Sequence, residues 1–132
     1  MLRLAIVFAL LLPASASAKL VFFQTPSHNI GCLYQSSPPA LRCDIRTGLK
    51  PPPSKPKGCT VDWTGGYQVG ATGRVQKVCA GDTVLSPSAR LLRYATTWRG
   101  GPFTCKASSS GLRCRNRSGH GFFLSREHSY RF

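Results

Sequence analysis

Phe103-Thr104-Cys105-Lys106-Ala107-Ser108-Ser109-Ser110-Gly111-Leu112-Arg113-Cys114 is the stretch that decides how this chain folds. Phe103 and Cys105 alternate with polar neighbours, and Leu112 and Cys114 flank Arg113. Each arm therefore reads as a strand with one apolar face. The serine run and Gly111 between them supply turn residues. In an antiparallel pair, directly opposed residues lie at a spacing that a disulfide can bridge. Cys105 and Cys114 are expected to face inward and staple this hairpin.

A second stretch has the same layout. Gly31-Cys32-Leu33-Tyr34-Gln35-Ser36-Ser37 runs through Pro38-Pro39-Ala40 to Leu41-Arg42-Cys43. Leu41, Cys43 and Ile45 share one face by alternation, with Arg42, Asp44 and Arg46 on the other. The expected pair is Cys32–Cys43, which leaves Cys59–Cys79 by elimination. The two hairpins match as an old duplication would leave them, although Leu-Arg-Cys is short enough to recur by chance. Three such staples stabilise a thin core by about 2–4 kcal/mol each.

Outward from the hairpins the chain continues to read as strands. Leu20 to Phe23, Thr60 to Trp63, Val75 to Val78, Phe122 to Leu124 and Tyr130 to Phe132 are strand candidates. Pro51 to Gly58 is a stiff surface crossing. Ser88 to Tyr94, with Pro87 at its start, has the only helical look. The expected fold is all-β and mainly antiparallel, a small β-sandwich or barrel-like domain over residues 19–132.

Residues 1–18 are set apart. Met1-Leu2-Arg3 carries a positive charge, Leu4 to Leu12 is unbroken and apolar, and Pro13 leads into Ala14-Ser15-Ala16-Ser17-Ala18. That is the layout of a secretory signal peptide cleaved after Ala18. The apolar run is about half of what a bilayer span needs, so a membrane anchor is the lesser alternative. A secreted or periplasmic product that does not span a membrane is expected, and export makes disulfides the natural state of its six Cys.

The 132 residues include 18 Lys or Arg and 4 Asp or Glu, for a net charge of +14. So few carboxylates exclude EF-hand arrays and di-carboxylate metal cores. Zinc is disfavoured because there is no CxxC pair and no HxxxH pair. No P-loop, dinucleotide fingerprint or GxSxG is present, and no cofactor is expected.

Further segments carry a resemblance. These are Phe23 to Cys32 (FQTPSHNIGC), Leu41 to Ile45 (LRCDI), Cys59 to Trp63 (CTVDW), Val78 to Thr83 (VCAGDT), and Cys105 through Gly111-Leu112-Arg113-Cys114 and Asn116 to Gly119-His120-Gly121-Phe122 and Leu124-Ser125-Arg126. Together they resemble an uncharacterised family of small secreted bacterial disulfide-containing proteins, a domain of unknown function. The resemblance implies export from a bacterium and no particular activity. It also marks two departures: the family pattern has Gly where this chain has His28, and Gly after the position of Tyr94, where this chain has Ala95.

Two sets of side chains could carry chemistry. His120 lies between two Gly, whose backbone can approach a ligand closely, and Glu127 is near in sequence. The pair could serve acid–base work in a small phosphodiesterase or ribonuclease-like hydrolase. A tight turn with His as filler is the plainer reading. Arg113, Arg115 and Arg117 alternate after Leu112 and are expected on one outer face, with Lys106 and Arg42 nearby. Such a row, with Arg126 as a further cation, could engage phosphates or carboxylates. The plausible partners are anionic envelope polymers, lipid headgroups or stray nucleic acid, with no specific nucleic acid target. The plain reading is a diffusely basic surface. Trp63, Trp98 and Tyr67 could form a sugar-stacking platform, with core packing the expected role of both Trp. Asn116-Arg117-Ser118 is formally a glycosylation sequon, idle in a bacterial protein. The functional expectation is a non-catalytic basic domain that binds polyanions. The alternatives are the hydrolase and an inhibitor or toxin acting through Pro51 to Pro56.

Overall fold

The computed structural model describes residues 11–13, 17–61 and 65–132. Eleven strands are present among them: β1 (Leu20–Gln24), β2 (Ile30–Ser36), β3 (Pro39–Ile45), β4 (Gly66–Gly70), β5 (Gln76–Lys77), β6 (Arg90–Leu91), β7 (Thr97–Gly100), β8 (Phe103–Ser108), β9 (Gly111–Arg115), β10 (Gly121–Leu124) and β11 (Ser129–Arg131). They form two open sheets, ordered β5-β4-β3-β2-β1-β6 and β11-β10-β9-β8-β7. The fold is an all-β sandwich and not a closed barrel. All strand pairs are antiparallel except β1 with β6. The disulfides are Cys32–Cys43, Cys59–Cys79 and Cys105–Cys114, with no free Cys. That redox state belongs to an oxidising compartment. Among the described residues no helix is long and apolar enough to cross a membrane.

Each sheet contains a five-stranded meander, and the two meanders match residue by residue. One rung of the first sheet reads Phe23–Cys32–Cys43–Tyr67–Lys77. The corresponding rung of the second reads Trp98–Cys105–Cys114–Phe122–Arg131. Equivalent aromatics face each other across the core: Phe23 stacks on Trp98 at 4.5 Å and Tyr67 meets Phe122 at 5.7 Å. Contacts between equivalent residues are what a twofold axis along the rung, midway between the sheets, requires.

The correspondence extends past the strands. Leu41-Arg42-Cys43-Asp44-Ile45-Arg46-Thr47-Gly48 matches Leu112-Arg113-Cys114-Arg115-Asn116-Arg117-Ser118-Gly119. Gly48 and Gly119 both have φ 82° and close the same turn, by Gly48 N–H to Ile45 O and Gly119 N–H to Asn116 O. Gly66 and Gly121 follow at the same place. A Cβ at Gly66 would press on the Cys43 carbonyl, and one at Gly121 on the Cys114 carbonyl. The halves differ by the segment 49–64, which is inserted in the first copy. It contains the proline-rich crossing, and Cys59 ties it to Cys79 outside the core.

Burial follows the expected alternation. Leu41, Cys43, Ile45, Phe103, Cys105, Leu112 and Cys114 all lie in one core with Phe122 and Leu124. Tyr67 is buried, and Trp98 packs against the core while remaining partly exposed. Trp63 and Asp62 lie outside the described residues, and Thr60 and Val61 form no strand.

Residues 88 to 94 are not helical. Arg90–Leu91 pairs in parallel with Phe23–Gln24, and the Gln24 amide donates to the Pro87 and Ala89 carbonyls at 3.2 and 2.8 Å. Leu92 N–H donates to the Gln24 carbonyl. These non-local bonds override a weak local propensity.

The two family departures coincide with backbone geometry. His28 and Ala95 have φ 59° and 63°, and they are the non-glycine residues in the left-handed region among those described. Glycine adopts that region freely, whereas a Cβ raises its energy.

Candidate anion-binding face

The outer face of the second sheet collects cations from three strands. Arg99 comes from β7, Lys106 from β8, and Arg113 and Arg115 from β9. Lys106 is directly opposite Arg113, and Thr104 separates Arg99 from Arg115 on the next rung. With strands about 4.8 Å apart and same-face residues about 7 Å apart, the four backbone positions fall within about 12 Å. Together with Thr97 and Thr104 they line a shallow depression of about 260 Å³. Among the described residues none of the four forms an ion pair; the ion pairs there are those of Arg42.

The first sheet shows what this face would be if neutralised. The counterparts of Arg99, Lys106, Arg113 and Arg115 are Gln24, Leu33, Arg42 and Asp44. Arg42 bonds the Asp44 carboxylate through Nε and Nη2 at 3.1 and 2.8 Å and reaches Asp82 at 3.0 Å. Burial works against the Arg42 charge, yet the two carboxylates outweigh it and hold the guanidinium above its ordinary pKa. The hydrogen bond and charge of Arg42 hold the Asp82 carboxyl below its ordinary value. Asp44 is 1% exposed and also accepts from Thr83 Oγ1 and Val84 N–H. Asp82 to Leu85 thus cover part of this face, and Leu85 lies against Gly31, the counterpart of Thr104. The second sheet has Arg115 in place of Asp44 and no covering segment.

Beside the cations the same face turns aromatic. Phe123 stacks on Tyr130 at 5.3 Å, His128 stacks on Tyr130 at 5.8 Å, and Phe132 follows at 6.2 Å. Arg113 lies over the Phe132 ring at 3.9 Å. The Phe132 ring lies over Gly121, where any side chain would displace it.

Lys106, Arg113 and Arg115 are therefore brought together as the sequence suggests, and Arg117 is not on their strand. β9 ends at Arg115. Asn116 is buried; its Nδ2 donates to the Gly70 and Gly73 carbonyls, and its Oδ1 accepts from Ser118 and His120 N–H. That network bends the chain into a turn and places Arg117 in it. It also leaves the amide of the sequon enclosed and fully bonded. Arg99 was not singled out from the sequence, because only sheet register puts β7 beside β8. The signal that could have found it is the Trp98-Arg99 alternation in front of the Phe103 to Cys114 hairpin.

His120 and Glu127 lie beyond opposite ends of β10, whose ends are about 10 Å apart at roughly 3.3 Å per residue. His120 borders a hollow with Arg74, Val75, Arg131 and Phe132. Glu127 and Arg126 border a different one with Ser108, Ser109 and Ser125. The fold does not gather an acid–base pair from them, and Arg126 borders the hollow at the β8–β9 turn, outside the depression that Lys106, Arg113 and Arg115 line. Among the described residues no cluster of three or more metal-ligating side chains occurs.

The chain matches the family of unknown function DUF6636 over residues 3–132 and belongs to it. No curated protein and no solved structure shows significant similarity to it.

Proposed function

We propose that this chain is a non-catalytic basic domain, exported by the signal peptide at residues 1–18, that binds anionic envelope components or other polyanions through the outer face of its second sheet. One observation carries the reading. Lys106 and Arg113 are directly opposed like charges, an arrangement that costs a sheet stability, with Arg99 and Arg115 beside them and, among the described residues, no carboxylate paired with any of the four. The equivalent face of the first sheet is neutralised and covered, so the fold itself does not call for this charge. An anionic polymer supplies the missing counter-charge, and its phosphate, sulfate or carboxylate groups suit guanidinium forks. The aromatic shelf from Phe123 to Phe132 gives sugar rings or bases a surface to lie on.

The test is titration of the mature protein with heparin across a range of salt concentrations, with neutral dextran as the control. Heparin binding should weaken steeply as salt rises, dextran should not bind, and the heparin should be recovered at its original length. Salt-independent binding, or shortened heparin, would contradict the proposal. N-terminal sequencing of exported protein should begin at Lys19.

A further inference from the structure

The two edges of the sandwich differ. At the β5/β11 edge, Arg131 extends over the Tyr67 ring. At the other edge β6 pairs only with Phe23 and Gln24, and β7 has no strand beyond it. A groove of about 540 Å³ opens there between the sheets. Its floor is Phe23, Leu92 and Trp98, of which Phe23 and Leu92 are core residues and Trp98 is partly exposed. Its rim holds Arg90, Arg93 and Arg99 with the hydroxyls of Thr96 and Thr97, and no carboxylate lines it. The volume lies within the range of about 300–1,000 Å³ common for small-ligand sites.

We infer that this groove binds a single-chain anionic amphiphile, with its alkyl chain on the Phe23–Leu92–Trp98 floor and its acidic head on the rim arginines. The groove favours an alkyl chain over a purely hydrophilic anion, because the partly exposed Trp98 ring and the exposed Leu91 side chain would stay wet beneath the latter. The rim excludes a neutral lipid, because three guanidiniums crowded at one mouth favour an acidic group between them. The site adjoins the proposed polyanion face, and Thr97 and Arg99 line both. Its acidic head could be a fatty carboxylate or the phosphate of a lysophospholipid.

The experiment is NMR titration of the mature, disulfide-intact protein with dodecanoate below its micellar concentration. Parallel titrations use dodecyl phosphate, neutral dodecyl maltoside and acetate. Dodecanoate or dodecyl phosphate should shift the resonances of Phe23, Leu92 and Trp98, and the tighter of the two identifies the head group. Dodecyl maltoside should bind at least tenfold more weakly, and acetate should leave the floor unshifted. The double variant Arg90→Gln/Arg93→Gln changes exposed side chains and spares Arg99; it should weaken binding about tenfold while its spectrum stays folded. Equal binding of maltoside, no loss in the double variant, or shifts confined to Lys106, Arg113 and Arg115 would overturn the inference. Heparin binding by the same double variant should be nearly unchanged, which separates failure here from failure of the polyanion face.

Discussion

Arg42 and Arg113 hold the same place in the two copies of the meander, so replacing each with Gln is a controlled comparison. Arg42→Gln removes two bonds to the Asp44 carboxylate and one to that of Asp82. The Asp44 side chain, 2% exposed, then keeps only Thr83 and Val84 as donors. Removing one partner of a buried ion pair costs about 3–5 kcal/mol. The Arg42 side chain is 16% exposed, so the lower end, about 3 kcal/mol, is expected. Arg113→Gln loses an exposed cation–π contact of about 0.5–1 kcal/mol and relieves a like-charge opposition of similar size. Its net effect should fall within about 0.5 kcal/mol. Urea unfolding with disulfides intact reads both. At about 1–3 kcal/mol per molar urea, Arg42→Gln should lower the midpoint by about 1–3 M, and Arg113→Gln should barely move it. Equal losses for the two variants would refute the distinction between an arginine that neutralises buried carboxylate and one on an exposed face.

Ala95→Gly should stabilise the protein by about 0.5–1 kcal/mol, since relief of the left-handed penalty exceeds the extra chain entropy of Gly; a lower melting temperature would sink the strain reading of Ala95. Gly121→Ala should destabilise by about 2–3 kcal/mol, because the new methyl meets the Cys114 carbonyl and the Arg115 Cα; an unchanged melt would contradict the described approach of β10 to β9. Asp82 has a folded pKa below its ordinary value, so its contribution is present above about pH 4 and is lost as pH falls through the depressed value. The group is exposed and solvent screens it, so the effect is small. The urea midpoints of wild type and Asp82→Asn should converge between pH 4 and pH 2, and a gap that persists at pH 2 would show that the Arg42 pair is not its source.

The hairpins and their disulfides were legible because alternation, turn residues and Cys spacing are all local. The match of Leu41–Cys43 with Leu112–Cys114 was visible as well. Its full extent was not, because the insertion at 49–64 separates Gly48 from Gly66 while Gly119 and Gly121 are nearly adjacent. Alternation gave Arg113 and Arg115 their face, but it carried Arg117 along with them, since nothing in an Arg-x-Arg-x-Arg pattern shows that Asn116 will turn its amide inward and end the strand. Arg99 and the groove at Trp98 depend on which strands become neighbours and which edge stays open. Residues 88–94 failed for the same reason: the partner that makes Arg90–Leu91 a strand is β1, distant in sequence.

Polyanion binding at the second sheet depends on the charge of its outer face. The measurement is the salt dependence of heparin affinity for wild type, for Lys106→Gln/Arg113→Gln/Arg115→Gln, and for a control with the same charge change at exposed sites, Arg46→Gln/Lys55→Gln/Lys57→Gln. The slope of log affinity against log salt counts the charges engaged. The face variant should bind at least tenfold more weakly with a flatter slope, and the control should stay close to wild type. Equal losses in the two variants would mean that the attraction is spread over the whole basic surface and that the second sheet carries no site.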